Sequence, residues 1–154
     1  MTERSVTHAT FVIERSYPAA PARVFRALSG QAAKSKWFVG PGDWDVAKYE
    51  IDFRVGCREI NSGGRAGKPL HTFNAIYQDI VENERIIYAY DMHVADIRIS
   101  VSLATIELKP EGSGTRLVFT EQGAFLDDYD DAASRERGTS DLLEALGKAL
   151  EESE

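Results

Sequence analysis

The sequence has a single cysteine, Cys57, among its 154 residues, and it has no long hydrophobic run. One thiol cannot form an internal disulfide, and such sparse cysteine usage is typical of proteins that stay in a reducing compartment. The N-terminal stretch MTERSVTHATFVIERSY lacks the apolar core of a signal peptide, and no segment reaches the length of a membrane span. We therefore expect a cytoplasmic protein that does not insert into a membrane.

Basic charge is also scarce, because 18 Lys and Arg residues stand against 25 Asp and Glu residues, for a formal net charge of −7. Nucleic acids and anionic membranes bind concentrated positive charge, so this balance disfavours both as partners. A chain of this length and ordinary composition can bury a core without disulfides or metals. We expect a single domain over residues 1–154.

Residues that bind metals or nucleotides lack the spacing that those sites require. His8, His71 and His93 are scattered, and the acidic run DDYDD at 127–131 lacks the glycine and the distal glutamate of a calcium loop. The glycine-rich SGGRAGKP at 62–69 has too few residues between its glycines for a phosphate-binding loop, and no hydroxyl residue follows its lysine. We predict no metal site and no cofactor.

Hydrophobic periodicity predicts one strand, two helices, about six further strands and a long last helix. The predicted elements are a strand at 7–17, helices at 18–30 and 31–38, strands at 44–52, 53–63, 70–81, 85–94, 97–108 and 115–123, and a helix at 131–152. The apolar stripes of the first and last helices consist of Val24, Phe25 and Leu28, and of Leu142, Leu143, Leu146 and Leu150.

This order of elements predicts an α+β fold. Short turns pair neighbouring strands antiparallel, and a sheet of about seven strands curls. The long last helix is the element that can cover the concave face, with the two short helices after the first strand beside it. A cavity between a curved sheet and one helix is a natural site for a small molecule.

The strand at 97–108 carries apolar residues on both faces. Ile97, Ile99, Val101 and Leu103 share one face, whereas Ile106 and Leu108 share the other. A bulge near Ala104 would switch the faces, and this is the interpretation we favour. The alternative is an outer face that is buried against a second subunit in a homodimer.

Several stretches resemble the START/Bet v 1-like (SRPBCC) superfamily, in the branch related to the C-terminal domain of the activator of Hsp90 ATPase. They are ERSYPAAPARVFRAL (14–28), KWFVGP (36–41), FRVGCRE (53–59), IVENERIIYAY (80–90), GTRLVFTEQGAF (114–125) and the leucine-bearing last helix. The resemblance implies a helix-grip fold, in which a seven-stranded antiparallel sheet wraps around a long C-terminal helix with a pocket between them.

Two features limit what the resemblance implies. Cys57 stands where this branch usually has glycine, which raises a question about the local turn. The co-chaperone also has a separate N-terminal domain that binds Hsp90, and 154 residues leave no room for one. We therefore do not expect Hsp90 as a partner, and the family implies no shared catalytic motif.

Aromatic residues recur in or beside the predicted strands. Any single ring is best explained by core packing, but tyrosines on a concave face supply both the apolar wall and the hydroxyl groups that ligand pockets use. Tyr88, Tyr90 and Met92 follow Ile86 at every second position and so share its face of the strand, which we place inward. The predicted ligand-binding residues are Trp37, Trp44, Phe73, Tyr88, Tyr90, Met92, Phe119, Glu121, Phe125, Tyr129 and Arg135.

Glu121 is the polar exception, since it follows Leu117 and Phe119 on the apolar face of the last strand. One interpretation is that it marks the solvated mouth of the sheet, where the strand ends before a turn at Gly123. The other is that it lies in the cavity as a polar anchor or a catalytic acid/base, paired with Arg135 of the last helix.

Three functions remain open at this point. The first is binding of a small apolar or aromatic ligand, such as a lipid-like or polyketide-like molecule. The second is an enzyme of the cyclase, dehydratase or hydrolase kind in the same cavity, which would need two polar groups converging on one substrate atom. The third is a co-chaperone-like protein-interaction domain. We favour them in this order, because no catalytic constellation is visible in the sequence.

Overall fold

The structure is a computed structural model that describes residues 3–40 and 42–152. Its elements are β1 (Val6–Tyr17), α1 (Pro21–Ser29), α2 (Gln31–Lys34), β2 (Asp45–Ile51), β3 (Arg58–Gly64), β4 (His71–Val81), β5 (Arg85–Val94), β6 (Ile97–Glu111), β7 (Gly114–Leu126) and α3 (Ala132–Leu150). The seven strands form one antiparallel sheet in the order β1-β7-β6-β5-β4-β3-β2, and α3 packs on its inner face. The predicted α+β helix-grip fold is confirmed.

The two short helices differ in how well the sequence predicts them. Helix α1 begins at Pro21 and buries Val24, Phe25 and Leu28, as the apolar stripe predicts. Helix α2 ends at Lys34 and not at residue 38, because the chain turns back on α1 after Lys34. The Trp37 indole N–H donates to the Ala27 carbonyl at 2.9 Å and holds this turn. Pro41, in the predicted turn that closes α2, lies outside the described residues.

Strand β3 begins later than predicted, because the first five residues of the predicted strand form a turn. Gly56 adopts a φ of 86°, and its N–H donates to the Tyr77 carbonyl at 2.8 Å. The Tyr77 N–H in turn donates to the Cys57 carbonyl at 3.0 Å. The left-handed conformation therefore falls on Gly56 and not on Cys57, so a cysteine fits at position 57.

Strand β7 continues through Leu126, so the predicted turn at Gly123 is wrong. Gly123 lies inside the strand, where a Cβ atom would lie 3.0 Å from the Phe125 ring and 3.2 Å from the Ser102 hydroxyl. The turn follows at Asp127 and Asp128, which adopt φ values of 54° and 59°. Close packing, and not a change of direction, explains this glycine.

Helix α3 begins just after this turn and is held against the sheet. The Asp131 carboxylate accepts a hydrogen bond from the Ser134 N–H at 2.8 Å and caps the helix. Leu143 and Leu146 are buried in the core, and Leu142 and Leu150 pack at its edge. The Tyr17 hydroxyl donates to the Leu143 carbonyl at 2.7 Å, which ties α3 to β1.

Strand β6 changes faces at a bulge, but the bulge is at Ile99 and not near Ala104. The register with β5 shifts between the pairs Met92–Ser100 and His93–Arg98, and from Ser100 onward the register with both neighbours is unbroken. Ser100 and Ser102 therefore point inward, and Val101 and Leu103 are exposed on the outer face. A homodimer through that outer face stays a prediction.

No helix in the described ranges is long and apolar enough to cross a membrane.

Candidate ligand-binding cavity

A cavity of about 650 Å³ lies between the concave face of the sheet, the middle of α3, residues 36–40 and Trp44. Nine of the predicted ligand-binding residues line it: Trp37, Trp44, Phe73, Tyr88, Tyr90, Met92, Phe119, Glu121 and Arg135. The inner face of β5 contributes Tyr88, Tyr90 and Met92, as the alternation predicts. That these residues bind a ligand stays a prediction.

Phe125 and Tyr129 do not line the cavity. Phe125 is buried beneath Arg135, with the guanidinium carbon 5.4 Å from the centre of its ring. Tyr129 follows the turn after β7 and is 44% exposed. Because β7 runs three residues beyond Gly123, both rings lie past the end of the cavity wall.

Glu121 lies on the inner face of β7 and is only 1% exposed, so the interpretation as a solvated mouth is wrong. The Tyr90 hydroxyl lies 2.8 Å from both carboxylate oxygens and donates to them. The Arg135 Nη1 donates to the Tyr90 oxygen at 2.9 Å and to Glu121 Oε2 at 3.4 Å. Three residues from β5, β7 and α3 thus meet in one hydrogen-bonded group at the cavity wall.

Arg135 also extends this group toward the end of the cavity. Its Nη2 donates to the Ser100 hydroxyl at 2.7 Å and to the Asp130 carboxylate at 3.0 Å. Ser100 is available for this contact because the bulge at Ile99 turns it inward. The contact explains why a serine occupies a buried strand position that hydrophobicity alone assigns to the outer face.

Burial sets the titration of this group. Desolvation raises the pKa of Glu121 above its usual value, and the charge of Arg135 and the Tyr90 hydrogen bond only partly oppose it. Burial likewise raises the pKa of Tyr90, reinforced by the Glu121 charge. Burial lowers the pKa of Arg135, but Tyr90, Glu121 and Asp130 outweigh it and raise that pKa. Tyr90 therefore stays protonated and Arg135 stays charged.

A second buried polar group lies around Glu59, and the sequence analysis missed it. Lys34 Nζ donates to Glu59 Oε1 at 2.8 Å, and the hydroxyls of Tyr77 and Tyr49 donate to the same carboxylate at 2.5 Å and 3.0 Å. Glu59 is 1% exposed and Lys34 is 5% exposed. Burial, together with the Glu59 charge, raises the pKa values of both tyrosines.

Lys34 belongs to the cavity wall as well as to this ion pair. Its Nζ lies 4.5 Å from the centre of the Phe38 ring and 6.0 Å from the centres of the Trp37 and Tyr88 rings. The signal in the sequence was the position of Lys34 three and four residues before two aromatic residues, a spacing that brings side chains together on one helical turn.

The rim of the cavity holds the second tryptophan. The Trp44 indole packs on two glycines, because a Cβ atom would lie 2.1 Å from its ring at Gly40 and 2.4 Å from it at Gly63. The same ring lies 5.2 Å from the His71 ring. Burial lowers the pKa of His71, opposed by Asp130. The rim is thus built around a tryptophan whose position depends on two residues without side chains.

No metal site is formed in the part of the chain that the structure describes. Within residues 3–40 and 42–152, no three His, Cys, Asp or Glu side chains come close enough to hold a metal ion. The buried ionic groups at the cavity are two ion pairs, Lys34 with Glu59 and Arg135 with Glu121, and their hydrogen bonds run mainly to one another and to nearby tyrosines. They can orient a ligand and accept or donate hydrogen bonds.

A curved antiparallel sheet that grips a C-terminal helix around a cavity defines an SRPBCC-type fold. The family model described as "Activator of Hsp90 ATPase homolog 1-like protein" matches residues 18–151, and the chain belongs to this family. Among curated proteins no match is found.

Several solved structures are similar to this chain. A putative uncharacterized protein from Rhizobium leguminosarum is 48% identical, with a TM-score of 0.92 over 97% of this chain and 99% of that one. A protein from Rhizobium loti is 46% identical, with a TM-score of 0.87 over 94% of this chain and 99% of that one. An AHSA1-like protein from Aeromonas hydrophila shares the fold at 17% identity, with a TM-score of 0.75 over 93% and 92% of the two chains.

Family and fold together support a ligand-binding or co-chaperone-like domain. The names of these relatives indicate no ligand, so the choice between the two roles depends on the cavity.

Proposed function

We propose that the protein binds a small apolar or aromatic molecule, lipid-like or polyketide-like, in the cavity between the sheet and α3. The single observation that carries this proposal is a cavity of about 650 Å³ whose wall combines aromatic rings with a few fixed polar groups. Pockets for small molecules have this size and this mixture of apolar surface and convergent polar atoms.

The wall supports an aromatic ligand in particular. Phe73 lies 5.9 Å from Tyr88 and 4.8 Å from Tyr90 between ring centres, and Tyr88 lies 5.8 Å from Tyr90. These rings pack against one another from the sheet side, so their orientations are fixed before a ligand enters. Preorganised rings bind a flat apolar molecule at little cost in side-chain entropy.

The polar groups support a binding role more than a catalytic one. The Tyr90 hydroxyl donates a hydrogen bond to Glu121, and Arg135 donates hydrogen bonds to both, so these three side chains mainly satisfy one another. A buried group of this kind, fully paired, makes the wall rigid without reserving a proton for a substrate.

An enzyme acting in the same cavity is a second candidate, and one observation favours it. Glu121 lines the cavity and burial raises its pKa, which is a property of many catalytic carboxyl groups. In this candidate Glu121 is the acid/base and Tyr90 is the group that relays its proton. A Glu121→Gln variant that keeps both ligand affinity and turnover would rule this role out.

Native mass spectrometry of protein purified gently from its source tests the main proposal. We expect a co-purifying small molecule, seen as a mass increment that disappears when the protein is denatured. A protein that carries no increment and also binds no aromatic probe in titrations contradicts the proposal.

A further inference from the structure

Lys34 and Tyr88 are two buried side chains of the cavity wall whose hydrogen-bond donors are not all accepted by the described residues. The first is Lys34, whose ammonium group has three N–H donors. One of them donates to Glu59 at 2.8 Å, and the described residues provide no acceptor for the other two. The Phe38 ring, whose centre lies 4.5 Å from Nζ, attracts the ammonium charge. It does not replace an oxygen atom as a hydrogen-bond acceptor.

The second donor is the hydroxyl of Tyr88. Tyr88 lines the cavity and is 8% exposed, yet its hydroxyl has no hydrogen-bond partner among the described residues. Burial raises the pKa of Tyr88 well above its usual value, so the hydroxyl keeps its proton and stays a donor. Lys34 Nζ lies 6.0 Å from the centre of the Tyr88 ring, which brings the two donors to the same part of the wall.

The other buried cation of the cavity wall, Arg135, has fewer N–H donors left for a ligand. Arg135 uses its two terminal nitrogens on Tyr90, Glu121, Ser100 and Asp130, which accounts for four of its five N–H groups. Among the buried charged and tyrosine side chains of the wall, Lys34 and Tyr88 therefore have the most N–H and O–H donors left for a polar ligand atom.

The charges of Lys34 and Glu59 favour a neutral ligand oxygen over a charged one. Glu59 already compensates the charge of Lys34, so a ligand carboxylate would be an additional buried negative charge without a cation of its own. A neutral carbonyl oxygen accepts two hydrogen bonds and brings no charge.

We infer that the cavity takes a neutral aromatic ligand with a carbonyl oxygen, and that this oxygen accepts hydrogen bonds from Lys34 Nζ and the Tyr88 hydroxyl. This inference rests on the proposed function and specifies the ligand class of the same site.

Three naphthalene probes test the inference in calorimetric or fluorescence titrations of the full chain. Acetylnaphthalene carries the carbonyl, ethylnaphthalene has nearly the same shape without it, and naphthoate carries a carboxylate. We expect Tyr88→Phe, which removes only the hydroxyl, to weaken the binding of acetylnaphthalene about threefold to tenfold. The affinity for ethylnaphthalene should stay within about twofold, because that probe makes no hydrogen bond.

Tyr49→Phe is the matched control. The Tyr49 hydroxyl donates to the Glu59 carboxylate that also pairs with Lys34, but Tyr49 is not among the residues that line the cavity. We expect this variant to leave the affinities for both probes within about twofold of wild type, because it removes a hydroxyl without removing a donor from the wall.

The contribution of Lys34 needs a paired substitution, because Lys34→Met alone leaves Glu59 buried without its cation. In the double variant Lys34→Met with Glu59→Gln, the amide oxygen can accept from one of the two tyrosine hydroxyls, and the amide NH2 group can donate to the oxygen of the other. We expect this variant to lower the affinity for acetylnaphthalene about threefold to tenfold more than the affinity for ethylnaphthalene. Circular dichroism and urea unfolding verify that it folds.

The possible failures can be told apart. If Tyr88→Phe leaves the affinities for acetylnaphthalene and ethylnaphthalene unchanged, or lowers both equally, the hydrogen bonds to a ligand carbonyl are wrong. Binding in the cavity would still stand. If naphthoate binds wild type more tightly than acetylnaphthalene, the assignment to a neutral oxygen is wrong. If no probe binds wild type at all, the proposed function fails and this inference fails with it.

Discussion

The Tyr90 hydroxyl lies 2.8 Å from each oxygen of the Glu121 carboxylate, and both side chains are buried in the wall of the cavity. Tyr90 comes from β5 and Glu121 from β7, two strands that are separated by β6. Arg135 reaches both from α3 and completes the group. These hydrogen bonds join two strands of the sheet to α3 at the wall of the cavity.

The first prediction concerns the buried cation of this group. Arg135→Met leaves Glu121 buried without its charged partner, so we expect a loss of about 3 kcal/mol in the free energy of unfolding at neutral pH. Arg85→Met is the control, because Arg85 pairs with Asp79 at the surface, where solvent screens the pair, and its removal should cost much less stability. Urea unfolding measures both, and equal losses in the two variants would contradict the account.

The second prediction concerns pH. The folded state raises the pKa of Glu121, so the stability that this group contributes is fully present below its unfolded value and declines as pH rises through the folded value. Glu121→Gln cannot ionise and is free of this decline. We therefore expect the variant to gain stability relative to wild type as the pH rises from about 4 toward neutrality.

Urea unfolding of wild type and Glu121→Gln across that pH range measures the difference. The Arg135→Met background sharpens the result, because the unpaired Glu121 should titrate at a still higher pH there. A difference between variant and wild type that does not change with pH, or that changes in the opposite direction, would show that burial does not control this carboxyl group.

The third prediction concerns the rim. A Cβ atom at Gly40 would lie 2.1 Å from the Trp44 ring, so Gly40→Ala displaces the indole from its place on the segment before β2. We expect a loss of about 1–3 kcal/mol and a red shift of tryptophan emission as Trp44 becomes solvated. Gly67→Ala is unsuitable as a control because Gly67 has a φ of 76°, so Gly138→Ala, which meets nothing within 4 Å, serves instead. Unchanged emission from Gly40→Ala would contradict the packing of Trp44.

The sequence predicts most of the fold because its periodicity is local. The alternation around Ile86, Tyr88 and Tyr90 identifies an inner face that the structure buries, and the leucines of α3 identify the side of that helix that packs on the sheet. Such patterns depend on neighbours a few residues away, and these are visible in the chain itself.

The errors occur where distant contacts override the local pattern. Gly123 is typical of a turn, but it lies inside β7 because Phe125 and Ser102 approach its backbone. Ser100 is polar, but it points inward because Arg135, 35 residues away, uses its hydroxyl. The Lys34–Glu59 pair joins side chains 25 residues apart, and no spacing rule for helices or strands connects them.

The most direct test of the central claim is to fill the cavity from α3. Gly138 lines the cavity, an added Cβ atom there meets no atom within 4 Å, and Arg135 and Leu142 flank it on the same helical face. We expect Gly138→Trp to bring an indole to the cavity, because the first atom of its side chain meets no neighbour. Gly138→Ala is the matched control, which improves helix propensity and leaves the cavity open.

The measurement is a titration of wild type and both variants with acetylnaphthalene. We expect wild type and Gly138→Ala to bind the probe with affinities within about twofold of each other, and we expect Gly138→Trp to lose at least about tenfold because the indole occupies the ligand's space. Equal binding by all three proteins, with Gly138→Trp folded, would show that the cavity is not the binding site.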